Sequence, residues 1–211
     1  MNNKSSSIFH SNNLVIAIIL TLVLSFILIL GSISIGNISF FLFLNYDGGK
    51  LIDNSIVFIS QLGETIPWVV ALILVLFFKR KYLMLLISCF VISTIFVQGI
   101  KNLLPNQERP TKSISNTKLI HTVEGVELHK YFSFPSGHTA TAFTIFYFAC
   151  ILISKRSIII LGILYAALVG YSRIYLAQHF PIDVAGGMLV AIVTIYLSLF
   201  LNERLSKRNL S

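Results

Sequence analysis

Residues 135–183 read PSGHTATAFTIFYFACILISKRSIIILGILYAALVGYSRIYLAQHFPID. Two apolar runs, 138–154 and 157–172, are joined by the basic pair Lys155 and Arg156, while polar residues stand at both far ends. Neither run alternates with period two, so both predict bilayer-crossing helices and not the strands of a membrane barrel. Similar runs at 14–31, 65–78, 82–100 and 182–201 bring the number of expected spans to six. Those at 65–78, 138–154 and 157–172 fall short of the roughly 20 residues that cross the hydrocarbon, so each is expected to extend into its polar flanks.

Composition supports a membrane solvent. Of 211 residues, 55% are hydrophobic and only 11% charged, too few charges for the surface of a soluble domain. The length suits one domain over residues 1–211. The first apolar run follows a single lysine and lacks a small-residue cleavage site, so it reads as an uncleaved span. Lys4, the Lys79-Arg80-Lys81 run, Lys155 with Arg156, and Arg204, Lys207 and Arg208 all fall on one side of a six-span layout. The positive-inside rule makes that side the cytoplasm, with the tails 1–13 and 202–211 in it. The other side carries seven of the eight acidic residues: Asp47, Asp53, Glu64, Glu108, Glu124, Glu127 and Asp183. The net charge of +8 is thereby dispersed as topology signals, which argues against a nucleic-acid partner. Residues 36–63 mix phenylalanines with polar residues, predicting one or two outer interfacial helices, or a re-entrant or merely amphipathic loop. Residues 101–137 form an outer segment that includes the one long loop.

Three outer segments depart from this background. Lys101 to Arg109-Pro110 ends the third span; Pro135-Ser136-Gly137-His138 opens the fourth; Ser172-Arg173, His179 and Asp183 link the fifth to the sixth. All three share one membrane depth, and ionisable groups facing a bundle interior are costly and usually functional. Lys101, Arg109 and Arg173 supply positive charge and the donor forks that match phosphate oxygens. Ser136, Gly137 and His138 open a helix, whose free N–H groups favour an anion, and Gly137 permits close approach. If the stretch from His179 to Asp183 is helical, the carboxylate holds one ring N–H and leaves the other nitrogen free to attack phosphorus. His138 is placed to protonate a leaving alkoxide, and water would then hydrolyse the phosphohistidine. Neither a cofactor nor a metal is implied, since no carboxylate cluster suited to magnesium is visible.

These segments resemble the signature of the type-2 phosphatidic acid phosphatase family: a lysine, a spacer and Arg-Pro; then Pro-Ser-Gly-His; then Ser-Arg, five residues, His, three residues and Asp. The second and third elements stand intact here. Lys101 and Arg109 are separated by seven residues, one more than is usual in the family, an insertion that a loop around Pro105 absorbs. The resemblance implies phosphate binding by Lys101, Arg109, Ser136, Gly137, His138 and Arg173, with His179 as nucleophile, His138 as general acid and Asp183 as partner of His179. It implies an all-α enzyme of the bacterial inner membrane, its site facing outward, that hydrolyses a lipid phosphate. Undecaprenyl diphosphate is the first expected substrate, followed by phosphatidylglycerophosphate, phosphatidic acid or lipid A. A phosphotransferase and a non-catalytic lipid transporter or scaffold are the competing readings. Membrane lipids are the other expected partners, and no obligatory protein partner is evident.

Other residues read as structural. Cys89 and Cys150 sit inside apolar runs as core or lipid-facing side chains. His121 and His129, with Glu124 and Glu127, show no ligand spacing and read as a solvated loop, and His10 as part of a polar tail. Gly162, Ala166 and Gly170 form a small-residue stripe for close helix packing. Trp68 and Tyr175 read as markers of the membrane–water boundary.

Overall fold

Each of the six apolar runs is helical over most of its length. A computed structural model describes residues 11–208, so Lys4, His10 and the outermost tail residues lie outside the described residues. Among the described residues there is no strand, and the helices in chain order are α1 (Asn12–Ser34), α2 (Asn37–Leu44), α3 (Lys50–Gln61), α4 (Ile66–Phe78), α5 (Leu83–Leu103), α6 (Pro110–Ser113), α7 (Gly137–Leu152), α8 (Ser157–Tyr175) and α9 (Pro181–Arg208).

Helices α1, α8, α9 and α5 with its leading 3₁₀ turn are long and apolar enough to cross a membrane. The weak second run has a physical explanation. Its helix α4 has 13 residues, about 20 Å at 1.5 Å per residue, short of the ~30 Å hydrocarbon core. It follows α3 across a short break with a 49° bend, and the two together have the length of a broken span or a re-entrant loop. Residues 36–63 thus hold two helices, the second of which is joined to the bundle. Helix α7 has only 16 residues and packs against both α8 and α9, while α9 also lies along α1 and α5.

Packing within lipid gains nothing from excluding water between apolar faces, so close approach of small residues carries more of the association. The expected stripe on α8 behaves this way: Gly162, Ala166 and Gly170 are buried, and a Cβ on Gly162 would lie 2.1 Å from the Phe146 ring. On α9 a Cβ at Gly187 would lie 2.5 Å from the carbonyl oxygen of Ser136, which fixes how near α9 passes to the start of α7. Cys89 and Cys150 are both free and buried. The outward faces present Phe26, Phe77, Phe78, Ile160 and Leu164, an apolar belt suited to lipid.

Candidate active site

Two helix starts converge on one place. Ser136 is the N-cap of α7, its hydroxyl oxygen accepting from Thr139 N at 3.5 Å and from the Thr139 hydroxyl at 2.9 Å. Helix α9 begins with Pro181, the favoured first helical residue. Asp183, in its first turn, reaches back so that Oδ2 accepts from Phe180 N at 2.9 Å, the carboxylate half of a capping box. The same oxygen accepts from the Ser133 hydroxyl at 2.5 Å. Ser136 N donates to the Asp183 carbonyl at 3.0 Å, so the two starts are stitched together.

His179 sits just ahead of α9 and not within it. Its Nδ1 nevertheless lies 3.5 Å from Asp183 Oδ2, because the capping geometry turns the carboxylate back over the preceding residues. The turn from α8 is tight: Gln178 N and His179 N both donate to the Arg173 carbonyl, at 2.9 and 3.1 Å. Ala177 within it takes a left-handed φ of 54°, a costly conformation for a residue with a Cβ and of the kind that gathers at functional sites. Burial of His179, reinforced by Arg109, Arg173 and Lys101, holds its pKa well below the ordinary histidine value. The ring is neutral, with a lone pair available.

The cations differ in how they are held. Arg109 Nε donates to the Tyr131 carbonyl at 2.9 Å, and Nη1 donates to both the Gln178 carbonyl and its side-chain oxygen, at 3.1 and 3.0 Å. Its pKa is lowered by burial, partly countered by Asp183. Arg173 is buried and donates through Nη1 to the Ser60 hydroxyl, while its Nε has no partner. A buried, unpaired guanidinium donor is costly unless an acceptor arrives. Lys101 lies at the end of α5. The intervening residues turn before Arg109, which is extended just ahead of α6, so the longer spacer still delivers both side chains to one cavity.

That cavity has a volume of about 470 Å³ and is lined by Lys101, Arg109, Gly137, His138, Arg173 and His179, together with Glu64 and Gln178. The sequence motifs from three distant segments thus meet. Ser136 and Asp183 stand behind the wall, fully or nearly fully buried, where they hold helix starts. Sequence reading missed Ser133, Gln178, Ser60 and Glu64. Glu64 Oε1 lies 2.9 Å from His138 Nε2. All four come from turns or from α3, and their partners are distant in sequence.

One residue differs from expectation. His121 is not a solvated loop residue: its Nε2 lies 2.9 Å from Asp53 Oδ1 and its Nδ1 3.8 Å from Asp47 Oδ1, placing a carboxylate at each ring nitrogen. Tyr175 is fully buried under α3; its hydroxyl donates to Asp53 Oδ1 at 2.6 Å and accepts from Gly48 N at 3.1 Å. The Asn45 amide donates to the carbonyls of His121, Ile174 and Tyr175, closing a clasp over the end of α8.

Comparison with known proteins gives the same family. The undecaprenyl-diphosphatase of Sulfolobus acidocaldarius is 33% identical over 180 residues, covering 83% of this chain and 84% of that protein. Phosphatidylglycerophosphatase B of Bacillus subtilis is 33% identical over 85 residues, covering 36% of this chain and 42% of that protein. The crystal structure of Aquifex aeolicus LpxE superposes with a TM-score of 0.67 at 32% identity, covering 77% of this chain and 94% of that one. Residues 82–206 match the family model of the PAP2 superfamily, and with an extended relative over most of its length this chain belongs to that superfamily as a membrane phosphatase.

Proposed function

We propose that this enzyme hydrolyses the terminal phosphate of a membrane lipid through a covalent intermediate on His179. The observation that carries the reading is the shared cavity: His138, His179 and three cationic side chains line one space, and the buried Arg173 Nε lacks a partner among the described residues. Lys101, Arg109 and Arg173 receive the phosphate oxygens, with the N–H groups at the start of α7. Asp183 fixes the His179 tautomer, so Nε2 attacks phosphorus in line with the leaving oxygen. The P–O bond to the lipid breaks as an N–P bond forms, and His138 gives a proton to the departing oxygen. Water, deprotonated by the now neutral His138, then releases inorganic phosphate and restores His179.

In membrane terms we place six spans in the bilayer, both termini in the cytoplasm and the cavity just beneath the outer face of a bacterial cytoplasmic membrane. The bent α3–α4 pair supplies the second span. Undecaprenyl diphosphate is the proposed substrate, supported by the extended likeness to a protein named for that activity. Phosphatidylglycerophosphate and lipid A are next, on shorter or structural likeness.

The test uses purified protein in detergent with undecaprenyl diphosphate carrying ³²P in its terminal phosphate. Acid-labile, base-stable label on the protein, lost in His179→Ala, is expected, with inorganic phosphate appearing in the presence of a chelator and without an added acceptor. Full turnover by His179→Ala contradicts the mechanism. Turnover of the other lipids in preference would move the substrate assignment alone.

A further inference from the structure

Glu64 belongs to none of the motifs, yet its carboxylate makes the one side-chain hydrogen bond that His138 forms among the described residues, Oε1 to Nε2 at 2.9 Å. The placement is specific. Glu64 lies in the turn between α3 and α4, and the turn is pressed against His138 so closely that a Cβ on Gly63 would lie 2.9 Å from His138 Cβ and 2.6 Å from Val169 Cγ1. The Tyr165 hydroxyl anchors the turn from α8, donating to the Leu62 carbonyl at 2.7 Å. A glycine at 63 is therefore what lets residue 64 reach the ring.

The charged and titratable groups around His138 make the carboxylate stand out. Lys101 from α5, Arg109, Glu127 and His129 from the outer loop, Arg173 from α8 and His179 from the α8–α9 turn all face the same cavity, with Glu127 3.8 Å from His129; Asp183 stands behind His179, bonded to Ser133 and Phe180. Of these three carboxylates, Glu64 alone hydrogen-bonds to His138. A general acid must begin the reaction as an imidazolium, and among three fixed cations that charge needs an opposing one beside it.

We infer that Glu64 is a positioning residue that keeps His138 protonated for the first step and stabilises it again when it takes the proton from water in the second. This rests on the roles of His138 and His179 given above. In the first step one imidazolium proton passes to the leaving oxygen as the lipid P–O bond breaks. In the second, a water proton returns to the ring as the N–P bond is hydrolysed, so the ring ends each cycle as it began. The carboxylate touches neither phosphorus nor the leaving oxygen.

The experiment compares Glu64→Gln and Glu64→Asp with the parent enzyme, following phosphate release from lipid diphosphate in detergent between pH 5 and 9. For Glu64→Gln the basic limb of the kcat profile is expected to move down by about one pH unit, with kcat at pH 8 falling about tenfold and KM within about twofold, the signature of a weakened proton donor. Glu64→Asp is expected to restore part of the shift. An unmoved pH profile overturns the inference. So does faster turnover of Glu64→Gln with a lower KM, which is how a carboxylate that merely repels phosphate behaves. His138→Ala and His179→Ala in the same assay separate the two levels. If both variants are inactive and only the Glu64 outcome fails, the histidine roles stand and the role of Glu64 falls. If both remain active, the underlying mechanism itself is wrong.

Discussion

The hydroxyl of Ser133 and the carboxylate of Asp183, fifty positions apart in the chain, meet at 2.5 Å. The same Asp183 oxygen lies 3.5 Å from His179 Nδ1 and accepts from Phe180 N, so one atom caps a helix and stands beside the proposed nucleophile. Removing the Ser133 hydroxyl leaves the carboxylate one donor short and free to rotate. Ser133→Ala is expected to lower kcat about tenfold with little change in KM, against a loss of about 10³-fold or more for Asp183→Asn, which supports the wrong tautomer. Steady-state kinetics on purified variants checks this, and equal activity of Ser133→Ala and parent would refute it.

Arg173 has a fork to offer and Lys101 a point charge. Arg173→Lys keeps the positive charge but removes paired donors from a buried position. It is expected to lose about 10²-fold in kcat/KM, comparable to removing a single oriented donor in other enzymes. Retention of more than half the parental kcat/KM would show that charge alone suffices at this position.

The buried, neutral state of His179 has a consequence for stability. Its folded pKa lies below the unfolded value of about 6.5, so between the two the unfolded chain binds the extra proton and stability falls as pH falls. The contribution is fully present above pH ~6.5 and is lost progressively below it. Thermal unfolding in detergent from pH 7.5 to 5 should therefore show a steeper acid loss of Tm for the parent than for His179→Gln. Parallel slopes would contradict the assignment.

Gly187 faces backbone, which cannot swing aside. With a Cβ there only 2.5 Å from the Ser136 carbonyl, α9 must shift away from α7. Gly187→Ala is expected to destabilise by about 1–3 kcal/mol, the usual range for overpacking, and to lower activity because the two helix starts carry the site. Unfolding temperature and turnover measured together test it, and an unchanged Tm would show that the helices have room to part.

The helices were legible because a bilayer imposes long uninterrupted apolar runs, and 14–31, 82–100 and 182–201 each map onto one helix. The 65–78 run was weaker because its helix is only part of a bent pair, a property that resides in the turn 62–65 and not in hydropathy. The pairing of His179 with Asp183 was anticipated from helical spacing, but its cause is different. His179 precedes the helix, and a capping carboxylate turns back toward it. Lys101, Arg109, His138 and Arg173, which line one cavity, stood out because ionisable residues beside apolar runs are costly and rare. Ser60, Glu64, Ser133 and Gln178 are common polar residues whose meaning arises only from partners 113, 74, 50 and 69 positions away.

The fastening of Asn45, Asp53 and His121 onto the end of α8 bears on any attempt to exchange outer loops between relatives. Asn45 grips the carbonyls of Ile174 and Tyr175, next in the chain to the Arg173 carbonyl that receives His179 N, so those loops are fittings cut to one another and to Tyr175. A transplant that carries the 119–123 stretch without its counterpart at 45–53 would leave the last turn of α8 unmoored, and the chemistry several residues away would suffer even with every motif intact.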